Sequence, residues 1–212
     1  MRDPIERLDT TALIDVLSRH WSDQQIMELL DSPLCDARKL AALALGFVGD
    51  RRCVTALANC LKDSDAIVNQ MAEHALWTVW FRSGSHEAQE ALQRGAELLD
   101  GKQYGRAEAC FGEAIAFDPT YAEAFNQRSL AGYLLENYAH AADDGEMVIR
   151  LMPCHFGAWA GLGHCYAHLG ATPRAMECYH HALAINPYLH GIRQIVSEIQ
   201  RGHSVAHPAI RL

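Results

Sequence analysis

The chain has 212 residues, half of them apolar but only 8% aromatic, and a formal net charge of −8. That length allows one large domain or two small ones, and the apolar share allows a continuous core. With 9 basic against 12 acidic side chains in residues 1–85, there is no concentrated basic footprint of the kind nucleic acid demands.

The opening MRDPIERLDTT lacks the apolar stretch of a secretory leader. Next come TTALIDVLSRH and SDQQIMELLDSP, which read as a degenerate first helix pair. Thr10 or Thr11 can cap the first helix, and Ser22 with Gln25 makes a capping box for the second. A ruler of 31 residues follows. It separates Ala44-Leu45 from Ala75-Leu76, and the turn at Ser32-Pro33 from the turn at Asp63-Ser64. The residues carrying it are Leu45-Gly46, Gly49-Asp50-Arg51, Val54, Leu57, Leu61, Asp63, Asp65, Val68, Ala72 and Ala75-Leu76. They resemble the short HEAT-type repeats of bacterial scaffolds and bilin lyase-like proteins. Asn69 stands where many such repeats have arginine, and Trp77 where they have glycine. The second departure predicts a last helix that runs on through Trp80 and Phe81 to dock the next module.

From residue 86 the ruler lengthens. Pro119, Pro153 and Pro187 are 34 residues apart and close the similar blocks AFDP, RLMP and AINP. A fixed period of this length in an alanine-rich sequence signals stacked helix pairs. The third block is the clearest. Trp159, Leu162, Gly163 and Tyr166 match W-x2-L-G-x2-Y, and Ala175, Tyr179, Ala182 and Pro187 follow at the spacing of a second helix. This resembles the tetratricopeptide repeat. The first block matches through Ala91, Gly95, Ala107, Phe111, Ala114 and Pro119. The second matches through Phe125, Ser129, Ala141 and Pro153, but has Gly145 where the others have Phe111 and Tyr179. Gly95, Ser129 and Gly163 are small, so paired helices can approach closely. Each proline stands just past a helix end, because it cannot continue a helix without losing a hydrogen bond.

After Pro187, Ile192, Ile195, Val196 and Ile199 form one apolar stripe at i, i+3, i+4, i+7. Arg193, Gln194, Glu198 and Arg201 occupy the other face, as a terminal capping helix requires. The expected architecture is therefore all-α: a right-handed α-solenoid of stacked antiparallel helix pairs, with eleven or twelve helices and no strands. Its modules are HEAT-like repeats over 1–85, three tetratricopeptide repeats over 86–187, a capping helix over 188–202 and a flexible tail over 203–212.

Chemistry-bearing motifs are scarce. A nucleophile motif, a phosphate-cradling glycine loop and H-E-x-x-H are missing, and no apolar run approaches the ~20 residues of a membrane span. The seven cysteines show no C-x-x-C spacing, which points to reduced thiols filling small core sites in a cytoplasmic protein. His164 and His168 lie at i, i+4 on one helix face. They are read as wet groove residues rather than zinc ligands, since a metal site needs three or four donors. Arg38-Lys39 and Arg51-Arg52 are read as solvated basic pairs, and His180 and His181 as surface or partly buried residues of the second helix.

In the repeat family, the first helices line a concave groove. Members that hold chaperone C-termini use a carboxylate clamp of lysine, arginine and asparagine there. The matching places in this chain hold Leu92, Ala96, Gln127, Gly157 and Gly161, so the clamp does not carry over. The groove is expected to present Leu92, Glu123, Asn126, Leu130, Tyr133, His164 and His168, a trough suited to a protein or peptide segment. The resulting expectation is a cytoplasmic, non-catalytic interaction scaffold that needs no cofactor or metal and engages neither nucleic acid nor membrane. The HEAT-like resemblance implies an alternative, an assembly factor or lyase acting on a tetrapyrrole or a client subunit.

Overall fold

The computed structural model describes residues 10–201. The tail expected over 203–212 lies outside the described residues, as do 1–9. All regular structure among the described residues is helical. The chain divides into two compact units, 1–82 and 83–212.

The first unit contains α1 (Thr10–His20), α2 (Asp23–Glu28), α3 (Cys35–Val48), α4 (Val54–Cys60) and α5 (Ala66–Phe81). Ser22 and Gln25 do form the capping box that starts α2. The core of this unit is the face of α3 against α5. There a Cβ added at Gly46 would stand 3.4 Å from the Cα and Cβ of Ala75. Gly46, next to the first Ala-Leu pair of the 31-residue ruler, and Ala75, in the second, thus mark a place where two helices meet almost backbone to backbone.

Of the two basic pairs, Arg51 and Arg52 are exposed as expected, whereas Arg38 and Lys39 are half-buried and paired. Arg38 makes a two-pronged ion pair with Asp63, at 2.7 and 3.0 Å, and Lys39 lies 3.3 Å from Asp65. Arg52 reaches both Asp50 and Asp23. Asp65 also caps α5 by accepting the Ile67 and Val68 N–H groups and receives the Cys35 thiol. The thiol bond first, then the backbone and Lys39 donors, hold its carboxyl well below the usual range. Asp63 and Asp65 belong to the turn opening α5, and the planar guanidinium of Arg38 suits the Asp63 carboxylate presented there.

Asn69, in the place of the usual arginine, is buried and donates to the Leu61 carbonyl. As expected, α5 continues to Phe81. Trp80 is fully buried, edge to face with Trp77 at 5.1 Å. Arg82 then donates to the Phe47 and Gly49 carbonyls at the C-terminal end of α3, where the helix dipole favours a cation.

The second unit holds α6 (His86–Asp100), α7 (Tyr104–Phe117), α8 (Ala122–Leu134), α9 (Tyr138–Leu151), α10 (Phe156–His168), α11 (Thr172–Ile185) and α12 (His190–Gln200). Successive helices pack on each other, and α8 also meets both α6 and α10. The small residues work as the spacing implied. A Cβ on Gly95 would stand 2.4 Å from the Phe111 ring, and one on Gly163 would stand 2.3 Å from the Tyr179 ring. The middle pair solves the same problem differently. Ser129 donates to the Ala141 carbonyl at 2.7 Å, and Leu162 of the next repeat fills the space over Gly145.

The turn inside each pair is also periodic. Lys102, Glu136 and Gly170 adopt φ of 58°, 61° and 74°. The residue after each donates back across the helix end, as in Gln103 to Leu98, Asn137 to Gly132 and Ala171 to Tyr166. This six-to-one bond closes the helix with a left-handed residue. Only the third turn uses glycine for it. On α12, Ile192 and Val196 enter the core cluster built around Tyr179, with Ile195 and Ile199 packed against it.

Candidate functional site

The first helix of each pair, α6, α8 and α10, is the element expected to carry the groove. The residues read from the sequence fall into three groups. Leu92 stands apart: it is only 1% exposed and offers no surface. Its position in α6 follows Ala88 and Ala91, which are buried as well, so this helix turns its apolar side inward here.

Glu123 and Asn126 belong to a polar cluster that also includes Gln127 and His155. Glu123 is 1% exposed and His155 0%. Glu123 Oε1 accepts from Asn126 Nδ2 at 3.0 Å and from Gln127 Nε2 at 2.7 Å. His155 Nε2 lies 3.0 Å from Glu123 Oε2, while His155 Nδ1 accepts the Ala158 N–H at 3.0 Å. A nitrogen that accepts carries no proton, so the imidazole proton sits on Nε2 and points at Glu123. Three donors on two oxygens suit a carboxylate without a proton of its own. Glu123 is thus a buried anchor between α8 and the start of α10, and not an exposed groove residue.

Tyr133, His164 and His168 do come together, with Tyr138 and Tyr179 added. His168 stacks on Tyr138 with centroids 4.2 Å apart and planes 19° apart. The Tyr133 hydroxyl lies 2.9 Å from His168 Nε2, and the Tyr179 hydroxyl 3.0 Å from His164 Nδ1. His164 is not a wet residue: it is 8% exposed. Burial first, and the neighbouring His168 second, lower its pKa to about 4. Burial pushes Tyr133 up to about 12. Each of these two ring nitrogens already faces a tyrosine hydroxyl, so the pair is committed to packing and hydrogen bonding.

The depressed pKa of His164 makes stability depend on pH. Its folded pKa lies below the unfolded value of about 6.5, so the unfolded chain binds the proton first. The neutral-state stability is fully present above pH 6.5 and declines as pH falls from 6.5 towards 4. Over that window the loss is about 2–3 kcal/mol. Urea midpoints at pH 7 and pH 4.5 should differ less in His164→Asn than in the parent. Equal pH dependence in the two proteins would refute the assignment.

Leu130 sits on α8 between the two clusters and is half-buried. In the sequence, Gln127 stands out only as a place where the clamp fails, and Tyr179 only as a packing residue. His155 carries a signal of its own. It lies 34 residues from Tyr121 and 34 from Leu189, and a polar residue at a buried period position needs a partner.

A concavity lies over α9, α10 and α11, apart from these two clusters. It has a volume of about 300 Å³, and Trp159, Tyr166, Arg174 and His181 are among the residues around it. His181 is exposed and stacks on Trp159 at 4.3 Å. Arg174 lies over the Tyr166 ring at 4.3 Å.

Known proteins share the paired-helix pattern that frames these clusters. The chain is 30% identical over 108 residues to a TPR repeat-containing protein of Rhizobium etli, covering 51% of this chain and 53% of that protein. It is 26% identical over 101 residues to small glutamine-rich tetratricopeptide repeat-containing protein 2 of Mycosarcoma maydis, covering 48% and 29%. This is tetratricopeptide-repeat homology. The fold agrees. The first TPR of Spaghetti (RPAP3), bound to the HSP90 peptide SRMEEVD, superposes with a TM-score of 0.55 at 19% identity over 56% of this chain and 94% of that one. The TPR domain of Arabidopsis OM64 gives 0.53 at 20% identity over 55% and 95%. No family model matches the chain. The tetratricopeptide match spans about half the length, or less, of these two curated relatives.

Proposed function

We propose that the 83–201 unit is a non-catalytic scaffold that holds a segment of another protein along its first helices. The observation that carries this is the placing of α8 beside both α6 and α10. It gathers Asn126, Leu130, Tyr133 and His168 into one half-buried stripe, braced from beneath by Glu123 and His164. Such a stripe offers amide, aliphatic and aromatic groups to an extended or helical segment. The Spaghetti domain, similar in fold, was solved with a peptide bound, which supports the same use here. The titratable groups of the stripe are tied into fixed networks, and this supports binding over catalysis.

The 1–85 module is read as HEAT-like, supported by the Gly46–Ala75 approach and by the aspartates at the head of α5. We place the protein in the cytoplasm. Burial raises Cys53 and Cys60 to about 11, as suits inert core thiols. No helix among the described residues is long and apolar enough to cross a membrane.

The test is capture of partners from the native host followed by mass spectrometry. Tyr133→Ala combined with Leu130→Ser should remove the principal partner, with a loss above ~2 kcal/mol if Tyr133 is a hot spot, while helicity stays unchanged. Glu177→Lys, at the concavity over α9, α10 and α11, should leave capture intact. The opposite pattern would move the binding surface to that concavity.

A further inference from the structure

We infer that the concavity over α9, α10 and α11 is a second docking site, and that its occupant is an extended peptide segment carrying one bulky apolar residue between an acidic and a basic one. The site is separate from the stripe described above and takes a different occupant. On α10 the concavity is faced by Trp159, Leu162 and Tyr166, whereas His164 and His168 meet the hydroxyls of Tyr179 and Tyr133. At roughly 100° per residue these two sets stand on nearly opposite sides of the helix.

Ile149 of α9, Leu162 of α10 and Cys178 of α11 supply an apolar lining. Two rings beside it are held in place. The Trp159 indole donates Nε1–H to the Pro153 carbonyl at 2.9 Å and carries the His181 stack. The Tyr166 hydroxyl donates to Glu146, and Arg174 covers the ring. Walls fixed before a ligand arrives lower the ordering cost of binding. The volume of about 300 Å³ is at the small end of the range that takes a ligand. That room suits one large side chain rather than the face of a helix.

The rim selects what flanks that side chain. Arg174 pairs with Glu146 at 3.2 Å, so those two charges offset each other. Two others remain. Arg150 of α9 donates from Nε to the Glu146 carbonyl, and its terminal nitrogens meet no acceptor among the described residues. Glu177 of α11 has no hydrogen bond or ion pair among the described residues. Both side chains are exposed, and α9 and α11 each pack on α10. A cation and an anion without partners thus stand on two different walls, with the apolar lining between them. A ligand of one sign gains at one wall and loses at the other. A segment with a carboxylate on the α9 side and an ammonium or guanidinium on the α11 side gains at both.

The experiment uses the full chain and end-blocked fluorescent peptides in a Gly-Ser frame, followed by anisotropy at about 50 mM salt, where surface charges are little screened. Their centres are Glu-Phe-Lys, the reversed Lys-Phe-Glu, Glu-Phe-Glu, Lys-Phe-Lys and Glu-Ala-Lys. The better of the two mixed peptides should bind at least about fivefold more tightly than either single-sign one. Glu-Ala-Lys should bind about tenfold or more weakly than Glu-Phe-Lys. Arg150→Glu makes both walls acidic, so Lys-Phe-Lys should become the tightest. Glu177→Lys makes both basic, so Glu-Phe-Glu should. Tyr133→Ala with Leu130→Ser should leave all these affinities unchanged.

An order of affinities that ignores Arg150→Glu and Glu177→Lys would overturn the inference. So would a lack of binding by every peptide up to about 1 mM. Displacement of the peptide by an equal concentration of free phenylalanine would assign the concavity to a small zwitterion, and the peptide occupant would fall. If the Tyr133 and Leu130 variant loses the peptides, they sit on the stripe, so this inference falls while the scaffold reading stands. If the peptides follow the charges of the rim but that variant keeps its host partner, the reading of the aromatic stripe falls and this inference stands.

Discussion

Replacing His155 with alanine should lower stability by about 3–5 kcal/mol, because it leaves the Glu123 carboxylate buried with one donor removed. For a chain of this size the melting temperature should fall by roughly 10 °C. Both partners are essentially without solvent, and the 3.0 Å contact joins α8 to the residue that starts α10. The single loss is larger than the net worth of the pair, since breaking one partner strands the other. A double variant with leucine at both 123 and 155 should therefore recover much of the loss. Denaturant titrations of the two single variants and the double variant close the cycle. A loss below ~1 kcal/mol in His155→Ala would show that the carboxylate finds water or another donor.

The second large effect is steric. Gly163→Ala places a Cβ 2.3 Å from Cε1 of Tyr179, and that ring is fully buried and held by core neighbours. Overpacking of this kind typically costs about 1–3 kcal/mol and sometimes more. Two residues earlier on the same helix, a methyl group added at Gly161 would meet nothing within 4 Å. Gly161→Ala should therefore be neutral, or stabilising by about 0.5–1 kcal/mol from helix propensity. The melting temperature should fall for Gly163→Ala and hold or rise for Gly161→Ala. Matching melts would mean that the α10–α11 contact yields easily.

The repeat positions were legible because a single requirement, close packing at fixed spacing, governs them all. Gly95, Gly163, Phe111 and Tyr179 all stand where the 34-residue ruler puts them. Gly145 broke the pattern in sequence because the compensation comes from Leu162, a residue of the next repeat. The candidate site was less legible because its polar residues are matched to partners far along the chain. Glu123 needs His155, 32 residues away, and Arg38 needs Asp63, 25 away. In one dimension a charged residue on a helix face looks solvated. The same holds for His164, whose burial is set by the Tyr179 hydroxyl as well as by its period position.

The neighbour-only packing of α6 to α12 also bears on how this unit folds. Its main contacts reach no further than the next pair, so the chain entropy lost in closing any one of them is small. Folding can begin at any pair and spread, with each pair gaining stability from those already formed. The Glu123–His155 link, the Tyr133–His168 contact and Leu162 over Gly145 all tie the second pair to the third, so these two pairs should gain and lose their order together.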